Sequence, residues 1–295
     1  MQKIKTEITK IHYNKAAKGL LVNLLQFASV FYGIGSGLKN KLYDKNILKP
    51  KKVDAYVISV GNITTGGEKI YYNAKLAGDE PFWLAENTKG AVVITSKNRY
   101  KASEFAIEKF GVSKIILDDG FQHRKLHRDM DIVLTDSKMG FGNEKLLPAG
   151  PLREGTEAFS RINRLVVVSK DTDHTRAEKL AKIMSKKMKV PAEVCYTEPD
   201  FVYNIKTGEH LPEGSEITAV SAIGQPQQFY NFLKSYKIKQ TLDFDDHHIY
   251  SENEIPDGVI VTTEKDAVKM SDFENRNIYA LKLKTSVNVE KLLNL

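Results

Sequence analysis

Residues 55–67 read AYVISVGNITTGG, an apolar run that leads directly into a glycine-rich turn. A short run of this kind, without polar alternation, is typical of a strand that is covered on both faces of a sheet. Glycines after such a strand let backbone N–H groups approach an anion such as a phosphate. The stretch therefore predicts a strand followed by a candidate phosphate-binding turn, although a plain turn explains this segment alone at least as well.

Further apolar runs follow along the chain, and helical patterns separate several of them. This alternation predicts an α/β fold with a mainly parallel, doubly wound sheet, in which ligands bind at the carboxyl ends of the strands. The expected strands cover residues 55–60, 91–95, 114–117, 131–135, 165–169, 217–223 and 259–262, and the expected helices cover residues 101–110, 176–187 and 225–236.

The chain of 295 residues carries a net charge of +7. This balance suits an anionic partner, but alone it does not choose among nucleic acid, nucleotide and an anionic membrane surface. The single cysteine, Cys195, excludes an intramolecular disulfide framework and a cysteine-based zinc cluster, and it indicates a reducing, cytosolic compartment. We expect no cleavable signal sequence.

Residues 19–38 read GLLVNLLQFASVFYGIGSGL and contain no charged residue, while lysines flank both sides. The stretch is long enough to span a bilayer, but its polar residues and glycines dilute the apolar character. We expect an interfacial helix whose leucines and aromatic residues enter the lipid while the lysines meet anionic headgroups. A buried core helix and a true membrane span remain the alternatives.

Two segments carry carboxylates beside glycines or prolines. LDDGFQH, residues 117–123, places Asp118 and Asp119 at the end of an expected strand, where a paired carboxylate suits Mg²⁺; a simple cap or turn is the alternative. LLPAGPLRE, residues 146–154, offers Arg153 to clamp a phosphate and Glu154 to assist the metal. The alternative for this second segment is a rigid surface loop with a solvated ion pair.

Three other segments carry less information by themselves. GDEP, residues 78–81, fits a turn. FDDHHIY, residues 244–250, suggests an acid–base histidine oriented by a carboxylate rather than a zinc site, with a surface histidine pair as the alternative. VTTEKDAVKM, residues 261–270, indicates a strand that runs into a capped helix and is interpreted as structural.

Taken together and in this order, these segments resemble the tetraacyldisaccharide 4'-kinase family, the lipid A kinases of Gram-negative bacteria. The resemblance also includes FYGIGSGL, GFGNEK and AIGQPQQF, and so it covers nearly the whole chain. It implies a P-loop kinase-like fold with an N-terminal amphipathic, membrane-facing helical region at residues 1–45. The kinase-like core would cover residues 46–160, and a smaller C-terminal α/β lobe would cover residues 161–295.

The resemblance implies a reaction as well. The γ-phosphate of ATP would pass to the 4'-hydroxyl of tetraacyldisaccharide 1-phosphate, forming lipid IVA in lipid A biosynthesis. ATP would be the co-substrate and Mg²⁺ the cofactor. The enzyme would be peripheral, on the anionic cytoplasmic face of the inner membrane, and it would have no nucleic-acid partner.

Site residues follow from the same resemblance, motif by motif. Asp79 would take the proton of the hydroxyl group and would be paired with His247. Asp118, Asp119 and Glu154 would serve the metal. The residues expected to hold the nucleotide are Thr64, Thr65, Gly66, Gly67, Gln122 and Arg153.

The chain departs from the family pattern after Gly67. The family continues through one residue to Gly-Lys-Thr-Pro, a helix, a strand and an Arg-Gly-Tyr-Gly segment before GDEP. About forty residues are missing, comparable to one crossover of a βαβ unit, and Lys69 lacks the neighbours that would let it replace the P-loop lysine. A chain that truly lacks them should bind ATP poorly, which leaves a lipid-binding pseudokinase as the alternative. An ATPase or GTPase acting on a soluble partner is disfavoured by the uncharged N-terminal stretch.

Overall fold

The computed structural model describes residues 8, 10–14, 17–62, 84–85, 88–170, 174–224, 226–245, 248–274 and 276–293. Six candidate site residues lie outside these ranges: Thr64, Thr65, Gly66, Gly67, Asp79 and His247. The roles expected for them therefore stay predictions. The junction of Gly67 and Glu68 also lies outside the described residues.

In the described part of the chain, nine strands form one sheet with the order β2-β1-β3-β4-β5-β9-β8-β6-β7. The strands are β1 (Tyr56–Asn62), β2 (Lys114–Asp118), β3 (Met130–Asp136), β4 (Arg164–Ser169), β5 (Ala192–Asn204), β6 (Glu216–Ser221), β7 (Lys237–Asp243), β8 (Val259–Thr263) and β9 (Asn277–Ser286). The helices are α1 (Leu20–Asp44), α2 (Arg99–Phe110), α3 (Thr175–Met188), α4 (Pro226–Phe232), α5 (Glu264–Val268) and α6 (Val289–Leu293), and short 3-10 helices lie at Thr156–Arg161 and Glu252–Glu254.

The sheet consists of two parallel halves that run in opposite directions. Strands β1 to β5 pair in parallel, and so do β6 to β9, whereas β5 and β9 pair antiparallel. The expected α/β fold with a mainly parallel sheet is therefore confirmed. We call the part from β2 to β5 the first half-sheet and the part from β9 to β7 the second half-sheet.

The register of the β5–β9 pair determines where the two carboxyl edges lie. β4 pairs with the beginning of β5, and its last residue, Ser169, lies opposite Tyr196. β8 pairs with the beginning of β9, and the last residue of β8, Thr263, lies opposite Leu281 of β9. Leu281 in turn pairs with Val202 of β5. Both carboxyl ends therefore point toward the middle of the β5–β9 pair. The loops that follow the strands of the two half-sheets consequently face each other across one cleft.

Apolar side chains cover both faces of the first half-sheet. Val133 and Leu165 belong to a core that includes α3, whereas their neighbours Ile132 and Val166 pack with Leu292 of α6 on the other face. Burial on both sides explains why these strands have continuous apolar sequences rather than alternating ones. It also accounts for the doubly wound arrangement.

The packing groups β4 and α3 with the first half-sheet. Ala177, Ala181 and Met184 of α3 share a core with Phe121 and Val133. The expected boundary between residues 160 and 161 would instead place these elements in the C-terminal lobe. We therefore propose a division at β5, after α3. The second half-sheet has its own apolar cores, formed by buried residues such as Ile217, Phe229, Val261 and Ile260.

The expected strand at residues 91–95 is wrong for this structure. These residues form no ladder with any described strand, and Val92 is 49 % exposed. An apolar run becomes a strand only when neighbouring strands bond its backbone and other layers bury its side chains. The expected helix at residues 225–236 is also too long, because α4 ends at Phe232.

Asp266 connects the loops at the carboxyl edge of the second half-sheet. Its side chain is fully buried, accepts hydrogen bonds from Ala222 N at 3.0 Å and Thr263 Oγ1 at 2.9 Å, and pairs with Lys269 Nζ at 3.1 Å. The segment at residues 261–270, which the sequence analysis interpreted as structural, thus also connects the turn after β6 to the turn after β8.

We expect Asp266→Ala to lower the free energy of unfolding by about 3 kcal/mol or more, because it removes the carboxylate that a largely buried ammonium group, 11 % exposed, and a backbone N–H both contact. Urea denaturation measures the change. Asp272→Ala, at an exposed position, serves as the control. A loss of less than about 1 kcal/mol for Asp266→Ala, the size of one ordinary hydrogen bond, would contradict this role.

Candidate active site

The end of β1 lies directly against the turn that follows β2. A Cβ atom on Gly61 would lie 2.9 Å from the Cα atom of Asp119, and a Cβ atom on Gly120 would lie 2.8 Å from Leu117 Cβ and 2.9 Å from Ser59 Oγ. Asp119 itself has a φ of 46°. The two glycines therefore permit a backbone approach that any side chain would block. This approach places the carboxylates beside the start of the candidate phosphate-binding turn.

Two adjacent carboxylates end this strand and begin the turn. Asp118 is the last residue of β2, and burial, followed by the charge of Asp119, raises the pKa of its carboxyl group above the usual value. Asp119 is bound by Arg153, whose Nη1 lies 2.8 Å from Oδ1 and 2.6 Å from Oδ2. Burial and the neighbouring charge both disfavour the ionised form of Asp118, and a bound cation would offset that cost.

Arg153 brings together residues that the sequence analysis assigned to separate motifs. Besides Asp119, its Nη1 contacts Gln122 Oε1 at 3.3 Å. The segments at residues 117–123 and 146–154 therefore form one cluster at the carboxyl edge of β2. Gln122 and Arg153, which were each expected to hold the nucleotide, are in contact in this cluster. Their binding of a nucleotide stays a prediction.

Glu154 points away from this cluster into the protein. Glu154 is only 4 % exposed. Its Oε1 accepts a hydrogen bond from Asn40 Nδ2 at 3.0 Å, and its Oε2 forms a salt bridge with Arg161. The guanidinium of Arg161 in turn lies over the ring of Phe121, 4.5 Å from its centroid. Both carboxylate oxygens thus have protein partners. A metal role for Glu154 stays a prediction, because the carboxylate would have to give up Asn40 or Arg161 to bind the metal.

The carboxylate pair fits Mg²⁺ better than a metal held entirely by the protein. Among the described residues, no group of three or more His, Cys, Asp or Glu side chains could hold a metal ion. Mg²⁺ typically uses one or two carboxylates together with substrate phosphates and water. Asp118 and Asp119 supply the carboxylate part of such a set.

His123 is a site residue to which the sequence analysis gave no role. Burial, and then the positive charge of nearby side chains beginning with Arg99, lowers its pKa to about 4. Lys39 is among these cations, and its Nζ donates to the backbone oxygen of Gln122 at 3.2 Å. His123 is therefore a neutral imidazole in a cationic setting. Its place in the segment at residues 117–123 was the only sequence signal for it.

Helix α1 docks on both site segments with one face. Tyr32 Oη donates to the backbone oxygen of Arg153 at 2.8 Å, and Asn40 binds Glu154. A Cβ atom on Gly33 would lie 2.9 Å from Leu146 Cδ1. The uncharged N-terminal stretch thus continues into a helical segment that contacts the candidate active site directly.

The opposite face of α1 carries an apolar stripe. Its members are between 58 and 78 % exposed: Leu20, Leu24, Phe27, Phe31, Ile34 and Leu38. At about 100° per residue, this spacing confines them to a sector of about 80°. By length and composition the helix could cross a membrane, and only 6 % of its most apolar window is buried. The stripe fits the expected interfacial helix, while exposure argues against the buried core helix.

In the loop after β7, described residues before and after His247 contact one another. The rings of Phe244 and His248 stack with centroids 4.5 Å apart, and His248 Nε2 lies 3.2 Å from Glu254 Oε2. Tyr250 is buried and contacts both rings edge-on. This loop follows a carboxyl end of the second half-sheet, so it lies on the edge that faces the first half-sheet.

Comparison with known proteins identifies the family. The family model described as "Tetraacyldisaccharide-1-P 4'-kinase" matches residues 21–69 and 68–295. The tetraacyldisaccharide 4'-kinase of Halothermothrix orenii is 30 % identical over 93 % of this chain and 92 % of that protein. The enzyme of Aquifex aeolicus is 33 % identical over 92 % of this chain and 96 % of its own length.

The chain belongs to the tetraacyldisaccharide 4'-kinase family. A crystal structure of LpxK from Aquifex aeolicus in complex with ATP, at 2.2 Å resolution, has a TM-score of 0.73 and 30 % sequence identity to this chain. The match covers 93 % of this chain and 97 % of the chain in that structure. This similarity confirms the expected kinase-like fold. The family match is divided into two stretches that meet at residues 68–69, beside the junction where the sequence departs from the pattern.

We expect nuclear magnetic resonance titration of the histidine rings to give His123 a midpoint near pH 4, with the signal assigned by its loss in His123→Gln. Because the pKa is lower in the folded state than the ordinary 6.5, the unfolded chain binds this proton first. The stability that His123 contributes is present above pH 6.5 and is lost as the pH falls toward about 4. A midpoint near 6.5 would contradict the buried, cationic setting.

Proposed function

We propose that this protein transfers the γ-phosphate of ATP to the 4'-hydroxyl of tetraacyldisaccharide 1-phosphate, forming lipid IVA. The observation that carries the proposal is the cluster of Asp118, Asp119, Gln122 and Arg153 beside the end of β1, in a chain of the tetraacyldisaccharide 4'-kinase family. This edge of a parallel sheet is where such folds bind their ligands.

The described residues suit the demands of phosphoryl transfer, which needs positioning and charge stabilisation more than covalent chemistry. Arg153 presents a guanidinium that matches phosphate oxygens, and Asp119 orients it in the absence of ligand. Asp118 and Asp119 would hold Mg²⁺, which when bound neutralises charge on the phosphates. Gln122 would contact the nucleotide from the same turn.

Proton transfer from the sugar hydroxyl is assigned to Asp79 with His247, as the family pattern implies. The loop that carries His247 follows β7, on the carboxyl edge that faces the cluster around Asp119. An aspartate paired with an imidazole is a suitable general base when it lies within hydrogen-bond reach of the hydroxyl.

The apolar stripe of α1 gives the enzyme access to its lipid substrate. We propose that the stripe enters the acyl region of the cytoplasmic leaflet while the surrounding lysines meet anionic headgroups. The helix then lies in the interface rather than across the bilayer, because its opposite face is occupied by the two site segments.

One observation favours a second candidate, a lipid-binding pseudokinase. The sequence passes from Gly66 and Gly67 to Glu68 and Lys69 without the family's Gly-Lys-Thr, so the lysine and the threonine that would meet the phosphates and the metal are not in this chain. Such a protein would keep the apolar stripe of α1 but would not transfer phosphate.

The decisive assay is transfer of radiolabelled phosphate from Mg-ATP to tetraacyldisaccharide 1-phosphate in mixed micelles. We expect transfer by the intact protein, and a loss of about 100-fold or more in Asp119→Asn, because preorganised charge at the phosphates is a large part of such catalysis.

Asp257→Asn is the matched control for this assay, since its side chain is 93 % exposed on the loop before β8. Activity equal to that of the intact protein is expected for the control. If the intact protein transfers no phosphate but still binds the lipid, the pseudokinase replaces the kinase.

We expect the double variant Phe27→Ser, Phe31→Ser to weaken binding to anionic vesicles by about 10-fold or more, because each exposed ring contributes apolar area to the lipid contact. These rings are 67 and 61 % exposed, with centroids 5.3 Å apart. Vesicle sedimentation measures the partition coefficient.

A second exposed pair on α2 supplies the control. The rings of Phe105 and Phe110 are 51 and 48 % exposed, with centroids 6.0 Å apart in a similar edge-on arrangement. Phe105→Ser, Phe110→Ser should leave vesicle binding unchanged. Equal weakening by both double variants would mean that binding depends on general hydrophobicity and not on the stripe.

A further inference from the structure

A buried amide joins helix α1 to the candidate active site. Asn40 is 5 % exposed, and it lies against a glutamate, Glu154, that is 4 % exposed. Asn40 Nδ2 donates to Glu154 Oε1 at 3.0 Å, and Arg124 Nη1 donates to the backbone oxygen of Asn40 at 3.1 Å. Burial of an amide and a carboxylate is unfavourable unless they are hydrogen-bonded, so these contacts define both the rotation of the helix and the place of the glutamate.

Glu154 connects this amide to the residues around the phosphate site. It follows Arg153 directly in the chain, and Arg153 holds Asp119. Its second oxygen pairs with Arg161, which packs on the ring of Phe121 in the same turn as Asp119. The backbone from which Arg153 extends is therefore anchored by Glu154, and Glu154 is anchored to α1 by Asn40.

The position of Asn40 on the helix is opposite the apolar stripe. It follows Leu38 of the stripe by two residues, which is a rotation of about 200°. One face of α1 is thus exposed and apolar, while the other face holds the segment that carries Arg153 and Glu154. Because α1 is a rigid helix, it sets the position of the phosphate site relative to the surface on which the stripe docks.

We propose that Asn40 is a positioning residue for phosphoryl transfer. By fixing Glu154, and through it Arg153, to α1, it makes the membrane-docking face and the phosphate-binding guanidinium one rigid unit. This inference rests on the proposed function. Its physical basis is that a displacement of about 1 Å in a positioning group can cost about 100-fold in rate.

The first test follows the structure and needs no activity. Hydrogen–deuterium exchange is measured in the full chain for peptides that cover residues 146–155. Asn40→Leu keeps the branched shape of the side chain but removes the hydrogen bond, and we expect faster exchange in these peptides, with melting of the whole protein unchanged within a few degrees. Asn40→Ser, a milder change, is measured in parallel and should give the same direction if the leucine variant folds poorly.

Ser36→Ala is the matched control on the same helix. The Ser36 hydroxyl donates to Gly33 O, within α1, at 3.4 Å. Exchange at residues 146–155 should be unchanged in this variant. Unchanged exchange in Asn40→Leu and Asn40→Ser, or equal acceleration in Ser36→Ala, would overturn the proposal.

The second test separates positioning from lipid binding. We expect Asn40→Leu to lower kcat by about 10-fold or more while KM for the lipid changes by less than about 2-fold. Combining it with Glu154→Gln should cost less than the product of the two single losses, because the two residues act as a unit. A rise in KM alone, or fully multiplicative losses, would overturn the role of Asn40. Absence of phosphate transfer by the parent protein would contradict the proposed function instead, and the exchange measurement would still decide on Asn40.

Discussion

The antiparallel pairing of β5 with β9 is the contact on which the arrangement of this molecule depends. Every other pairing between the strands is parallel, so each half-sheet alone would place its ligand-binding loops at its own carboxyl edge. β4 joins the pair at the beginning of β5, and β8 joins it at the beginning of β9. The two edges therefore turn toward each other. The cleft between them has the cluster around Asp119 on one side and the loop after β7 on the other.

Within that cleft, charged side chains hold one another in place. Asp119 holds the guanidinium of Arg153, and two glycines let the carboxylate pair approach the end of β1. His123 remains neutral among cations, because burial and the surrounding positive charge oppose its protonation. Helix α1 supports the same cluster from the outside and presents an apolar surface away from it. A kinase for a lipid needs both properties, since its acceptor lies in a membrane while its donor is a soluble anion.

Much of this could be predicted from sequence because the first half-sheet is buried on both faces. Continuous runs of Val and Ile identified β1, β3 and β4, and the carboxylates after β2 followed from the position rule for parallel sheets. The three strands that were missed have mixed composition. β5 contains Pro199 and several charged residues, β7 is largely exposed, and β9 carries lysines at residues 282 and 284. The partners of Glu154 could not be predicted, because Asn40 lies 114 residues away and reaches it only through tertiary packing.

We propose that the carboxylate pair at the end of β2 is the metal site for phosphoryl transfer. The most direct measurement is a crystal structure of this chain with Mn²⁺ and a non-hydrolysable ATP analogue, in which anomalous scattering locates the ion. We expect one Mn²⁺ peak within coordination distance of the Asp118 and Asp119 carboxylates, with phosphate oxygens completing its shell and Arg153 turned toward them. Bound nucleotide without a Mn²⁺ peak at these carboxylates, or a peak elsewhere in the cleft, would contradict this proposal.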